Sequence, residues 1–343
     1  MSNWNKMDRF SAIFSGEKAD RPMISGWRHF IDKEQTAEDL AEITISFTKK
    51  FDWDWVKINP RAVYYAEAWG NEYDFNDYRT VFPKLIHNRI KEAKDVWEIE
   101  KIKAAGSPPF AEQLEAVEKI RKGLPDTPLL QTVFSPLTVL LFLMGQSGVI
   151  NEDVYGMKRP LSVKELFSEE RSGVHHALHA VALTLADYVE ELFKKGVDGI
   201  FYAVTGTAHP QLFTEAAFNE FSRPYDLIVL EAAKNGKNIL HTCNVHSQAD
   251  RFNDYPINGI SWDTEAHGNP GLNGNLTHTK VGGVDHKLFG KNDLDSIRAQ
   301  AAKALKIMKD QPFSLAPNCS IPITVGDEAL RIFRETINEG ENA

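Results

Sequence analysis

Cysteine is nearly absent. The chain of 343 residues has two, Cys243 and Cys319, too few for a disulfide framework, so in a reducing compartment each stands as a free thiol or a metal thiolate. Long apolar runs are missing too. No uninterrupted stretch approaches the roughly 18–20 residues of a bilayer span. The start, MSNWNKMDRF, lacks the basic, then apolar, then small-residue plan of a signal peptide, so a cytoplasmic location without membrane association is expected. Nor is there any block of Lys or Arg. The 39 basic residues are interspersed among 48 acidic ones for a net charge of -9, which leaves no electrostatic footprint for nucleic acid. No internal repeat, low-complexity tract or Gly/Ser linker marks a boundary, so one domain over 1–343 is the default.

What is present is a recurrent alternation. Short β-branched or aromatic apolar runs, at 22–27, 53–59, 128–134, 197–204, 237–243, 257–263, 280–285 and 312–318, are each followed by a helical pattern, as in a parallel α/β sheet. Ser162 and Glu165 read as a capping box opening one long helix up to Gly196, and 295–310 reads as an amphipathic helix with Asp295 near its start. Eight such strands fit a (β/α)8 TIM barrel, typically about 250 residues long. The extra length is expected as helical insertions between the second and third strands and before the fourth. A doubly wound open sheet is the alternative, but no G-x-G-x-x-G follows the first strand.

In ILHTCNVHSQ, residues 239–248, His241 and Cys243 are two apart at the end of a strand and so leave the same face. Cys319, in SLAPNCSIP, follows the last candidate strand. In a barrel both strand ends open on the C-terminal face, where chemistry is carried. Each residue alone also reads as a small buried side chain or a strand-end hydrogen-bonding partner. Together, one imidazole and two thiolates suit Zn²⁺ and leave a fourth position open for water or substrate. Metal-held thiols lose their proton at neutral pH, which suits attack on an alkyl group. His175 and His179 have metal spacing on a helix but read better as a solvated face, and His246 reads as a fourth ligand, a proton shuttle or a loop hydrogen bond.

These residues, with RPMISGWRHF (21–30), FDWDWVKINPRAVYYAEAWG (51–70), FSPLTVLLFLMG (134–145), GVDGIFYAVTG (196–206) and HPQLFTEAAFNEFSRPY (209–225), resemble the uroporphyrinogen decarboxylase superfamily over nearly the whole chain. Within it they are most similar to the zinc-dependent methyltransferases that move a methyl group from a methylated corrinoid to a thiol. The decarboxylases carry two arginines in the first loop; here Arg28 matches the first and Asp32 stands at the second. Arg61 falls where they use an aspartate, Phe142 and Ala203 where they use a tyrosine and a serine, and Cys319 where they use a histidine. The methyltransferase zinc motif, His-x-Cys and a distant Cys, is matched by His241, Cys243 and Cys319. The resemblance implies Zn²⁺ on those three residues, a methylated corrinoid as co-substrate, brought by a separate corrinoid protein or free, and a small thiol as acceptor. Arg28 and Arg61 are expected to hold an anionic group of substrate or corrinoid, or to be structural cations. Asp263 is expected near the metal or substrate, or capping the next turn. A tetrapyrrole decarboxylase and a catalytically silent relative are the rival readings, and a homodimer is one option for the assembly.

Overall fold

The computed structural model describes residues 4–158 and 161–339; residues 1–3, 159–160 and 340–343, parts of the single domain expected over 1–343, lie outside them. All eight expected strands are present. They are β1 (Met23–Ile24), β2 (Val56–Ile58), β5 (Leu129–Phe134), β6 (Gly199–Thr205), β7 (Ile239–Thr242), β8 (Gly259–Trp262), β9 (Thr279–Val284) and β10 (Phe313–Pro317). They form one parallel sheet in the order β1-β10-β9-β8-β7-β6-β5-β2. The sheet curls until its edge strands face one another, giving the TIM-barrel fold. Across that seam, the Asp54 N–H donates to Ile24 O at 3.0 Å, the Ile24 N–H donates to Asp54 Oδ2 at 2.9 Å, and Ser25 Oγ donates to Trp55 O at 2.7 Å.

Alternation along each strand divides the core in two. Met23, Trp55, Leu130, Phe201, Ile239, Val281 and Ala316 fill the barrel interior, and Phe10 and Phe14, on and just after the helix Lys6–Ile13, plug its N-terminal end. With that end sealed by aromatic side chains, the cavity opens at the C-terminal end. The opposite strand faces pack against the surrounding helices in a second, larger cluster. Among the described residues no helix is long and apolar enough to cross a membrane.

Two expectations need correction. The insertion between β2 and β5 is helical only in part. Glu72–Arg79 (β3) and Phe82–His87 (β4) form an antiparallel hairpin with register shifts near Glu72 and between Asp74 and Tyr78, so its aromatic and apolar residues do not keep a strict alternation that would mark strands. The long helix after Ser162 is two helices, Val163–Glu169 and Arg171–Lys194, broken at Glu170. Ser162 makes half of the capping box, accepting from the Glu165 N–H at 3.3 Å. The break follows tertiary packing: Glu170 accepts from Trp97 Nε1 at 2.9 Å, and Gly173 lies so close to Val96 that a Cβ would meet it at 2.5 Å. The expected stop at Gly196 holds, with φ +97°. The expected 295–310 helix runs Leu294–Ile307, with Asp293 as the N-cap and Asp295 in the first turn.

Candidate metal centre

His241 sits near the end of β7 with register partners Ala203 and Ser261. Laterally paired residues of a parallel sheet share a face, and Ser261 Oγ lies 3.1 Å from His241 Nδ1. That contact leaves Nε2 as the free ligand atom. Cys243 is set by the end of β6, where Thr205 adopts φ +50° and turns its carbonyl to accept the Cys243 N–H at 2.8 Å. Thr205 stays in this costly conformation through its hydroxyl, 3.1 Å from Thr138 Oγ1.

Cys319 is set by its neighbour Asn318, a fully buried amide. Asn318 Nδ2 donates to Asp263 Oδ1 at 3.1 Å and to Thr264 Oγ1 at 3.0 Å, and its Oδ1 accepts the Gly283 N–H at 2.8 Å. The loops after β8 and β10 and the end of β9 are thereby locked together around one point. The ligand atoms of His241, Cys243 and Cys319 lie within 4.8 Å of one another, and the two sulfurs are 3.6 Å apart. This is far beyond a disulfide bond and close to the about 3.8 Å separating two thiolates on a tetrahedral Zn²⁺. The donor set therefore fits such an ion. The contact between the two sulfurs and the nearby His241 hold Cys319 below the ordinary thiol range, while the same contact and burial push Cys243 up.

The three ligands line a cavity of about 430 Å³ at the C-terminal end of the barrel, walled by Trp27, Phe134, Phe142 and Phe201. A neighbouring cavity of about 330 Å³ under the β3–β4 hairpin shares Phe82, Phe142, Ser147 and Glu152 with it.

The other expected site residues are placed variously. Asp263 lines the cavity and is buried; it also caps the next turn, accepting from the Glu265 N–H at 3.1 Å. Arg61 lines the cavity but is engaged by Glu67, at 2.8 and 3.1 Å, and by Glu112. Burial opposes its charge; the two carboxylates outweigh that and hold its pKa above the ordinary value. Arg28 is not among the cavity-lining residues. It stacks 4.9 Å over the Phe30 ring, and burial lowers its pKa. His246 packs edge-to-face on His209 and His267, at 5.5 and 5.0 Å. His175 is occupied by Tyr225 Oη at 2.6 Å and Glu220 at 3.1 Å, and His179 is exposed. Sequence reasoning missed Ser261, Asn318 and Lys57. The last is an inward lysine inside the expected strand 53–59, a polar interruption of an apolar run that could have flagged it.

The sequence pattern of uroporphyrinogen decarboxylase (URO-D) matches residues 5–340. The chain belongs to the URO-D family. Among solved structures, this URO-D chain resembles a methyltransferase from Methanosarcina mazei over 98% of its own length and 99% of the other, at 18% identity and a TM-score of 0.79. It also resembles a B12-independent methionine synthase from Shewanella sp. W3-18-1, over 94% and 97% of the two chains at 13% identity and a TM-score of 0.55. At such identities the likeness is one of fold. No curated protein sequence matches the chain.

Proposed function

We propose that this URO-D family member is a methyltransferase that moves a methyl group from a methylated corrinoid, free or carried by a separate protein, to a small thiol. The observation that carries the reading is the convergence of one imidazole and two thiols within 4.8 Å at the wall of a cavity. A Zn²⁺ ion held by His241, Cys243 and Cys319 would lower the pKa of an arriving thiol, so that its sulfur is a thiolate at neutral pH. The chain's own residues supply the positioning: Ser261 orients the His241 ring, the Thr205 carbonyl holds Cys243, and Asn318 braced on Asp263 holds Cys319. Trp27, Phe134, Phe142 and Phe201 give the cavity aromatic walls, which would limit water around the sulfur. A methylated corrinoid would supply the methyl group and keep the electron pair of the bond that breaks as the S–C bond forms; the thiol proton would go to solvent.

The metal of the purified protein is the first test. Near-stoichiometric zinc, lost in Cys319→Ala, is expected, together with turnover of methylcobalamin with at least one of a panel of thiols. A metal-free protein that shortens uroporphyrinogen side chains, or no methylation of any thiol despite bound zinc, would overturn the proposal. The decarboxylase reading has less support: Arg61 is neutralised by two glutamates, and Cys319 belongs to the ligand cluster.

A further inference from the structure

Lys57 is the most anomalous residue of the cavity. It lies in the middle of β2, is half-buried and lines the cavity. Its Nζ donates to Asn59 Oδ1 and lies 4.9 Å from the Phe201 ring centre and 5.9 Å from that of Trp27. None of these partners carries a negative charge. Enclosed ammonium groups are normally neutralised by carboxylates. Burial pushes Lys57 down to about 7, and the groups that oppose this are the thiols of Cys319 and Cys243, then Glu34.

A second donor stands beside it. Asn59 is 6% exposed, its Nδ2 is buried without a hydrogen-bond partner, and it lines the same cavity. Two donors, one charged, thus share a wall of the space into which β7 and the loop after β10 bring the ligand set. A buried amide without an acceptor and a half-buried ammonium whose hydrogen bond goes to an amide rather than a carboxylate both call for an anion. Lys57 and Asn59 line the same cavity as His241, Cys243 and Cys319, so that anion and the ligand set share one space.

Charge counting identifies the anion. A divalent ion on two thiolates and a neutral imidazole is balanced, and adding a thiolate sulfur leaves one negative charge in a low-dielectric cavity. We infer that Lys57, with Asn59 beside it, holds the acceptor's sulfur as an anion at the open position, making the site selective for a thiolate over neutral ligands. This rests on the methyltransferase reading and adds the residue that discriminates substrate from product. Methylation forms the S–C bond and removes the sulfur's negative charge, so the thioether loses the attraction that held the thiolate and gives way to the next acceptor.

The test uses full-length protein loaded with Co²⁺, in which sulfur bound to the metal is visible as a charge-transfer band. 2-Mercaptoethanol (uncharged tail), 3-mercaptopropionate (anionic tail) and imidazole (neutral ligand) are titrated into wild type, Lys57→Met and Lys57→Gln. Both variants are expected to keep the metal and to bind each thiol about tenfold or more weakly, the scale of a lost hydrogen bond to a charged group, with imidazole affinity unchanged. Equal weakening of imidazole, no weakening of the thiols, or a loss confined to 3-mercaptopropionate, which would make Lys57 an anchor for the tail, would overturn the inference and leave the methyltransferase reading standing. Failure of wild type to bind either thiol would overturn both.

Discussion

Ser261 touches His241 from one strand away and is chemically replaceable, which makes it a clean probe of the centre. Its hydroxyl lies 3.1 Å from His241 Nδ1, and loss of such an outer partner typically costs about 10–100-fold in metal affinity. Ser261→Ala is therefore expected to bind Zn²⁺ more weakly by that order with its fold intact, measured by competition with a chromophoric chelator; unchanged affinity would mean that the strand alone orients the ring. At this scale the candidate cluster His241, Cys243 and Cys319 was legible, because i and i+2 at a strand end lie close together and a chain with two cysteines leaves little choice. Ser261 and Asn318 were not, since their hydrogen-bond partners His241 and Asp263 are distant in sequence; Lys57 left only the trace of a polar residue in an apolar run. Arg61 was legible as a cation, whereas its neutralisation by Glu67 and Glu112 depends on where two later segments pack.

Among the elements, the helix Arg223–Ala232 shows how a polar group fixes packing. Its Asp226 is fully buried and accepts from Tyr202 Oη at 2.6 Å, Ser222 Oγ at 2.8 Å and Tyr255 Oη at 3.1 Å. The helix is thereby tied to β6 and to the loop before β8. Burial raises the carboxyl to about 6, partly offset by the three hydroxyls. The folded state thus holds this proton more tightly than the unfolded chain does. Its contribution to stability is complete below the ordinary value of 3.8 and lost as pH rises through about 6. Asp226→Asn, neutral at every pH, is expected to flatten that part of the melting-temperature profile, which in wild type amounts to roughly 3 kcal/mol of stability; an unaltered profile would assign the pH dependence elsewhere. The strands were legible because buried parallel strands are short apolar runs bounded by turns. The β3–β4 hairpin was missed because its strands are half-exposed and sit inside a segment rich in helical spacing.

The whole barrel depends on a seam that no strand ladder covers. β1 has two residues and β2 three, and Asp54 joins them: its carboxylate accepts the Ile24 N–H and is clamped by Arg21 at 2.6 and 2.9 Å. Removing one member of a buried pair leaves the other uncompensated, at a cost of about 3–5 kcal/mol. Asp54→Ala is expected to lose stability on that scale in chemical denaturation and to open the seam to amide hydrogen exchange at Ile24; a loss below about 1 kcal/mol would mean that packing closes the barrel without it.

The sequence by itself determined the period and order of the eight strands and the placing of His241 and Cys243 at the end of one of them, since these follow from local side-chain alternation and composition. Only the tertiary structure decided that Cys319 arrives 3.6 Å from Cys243, that Arg61 is already neutralised, and that Lys57 shares the thiols' cavity with its ammonium hydrogen-bonded to an amide. Those facts depend on barrel closure, which sets residues from distant strands side by side at spacings that one-dimensional periodicity does not encode.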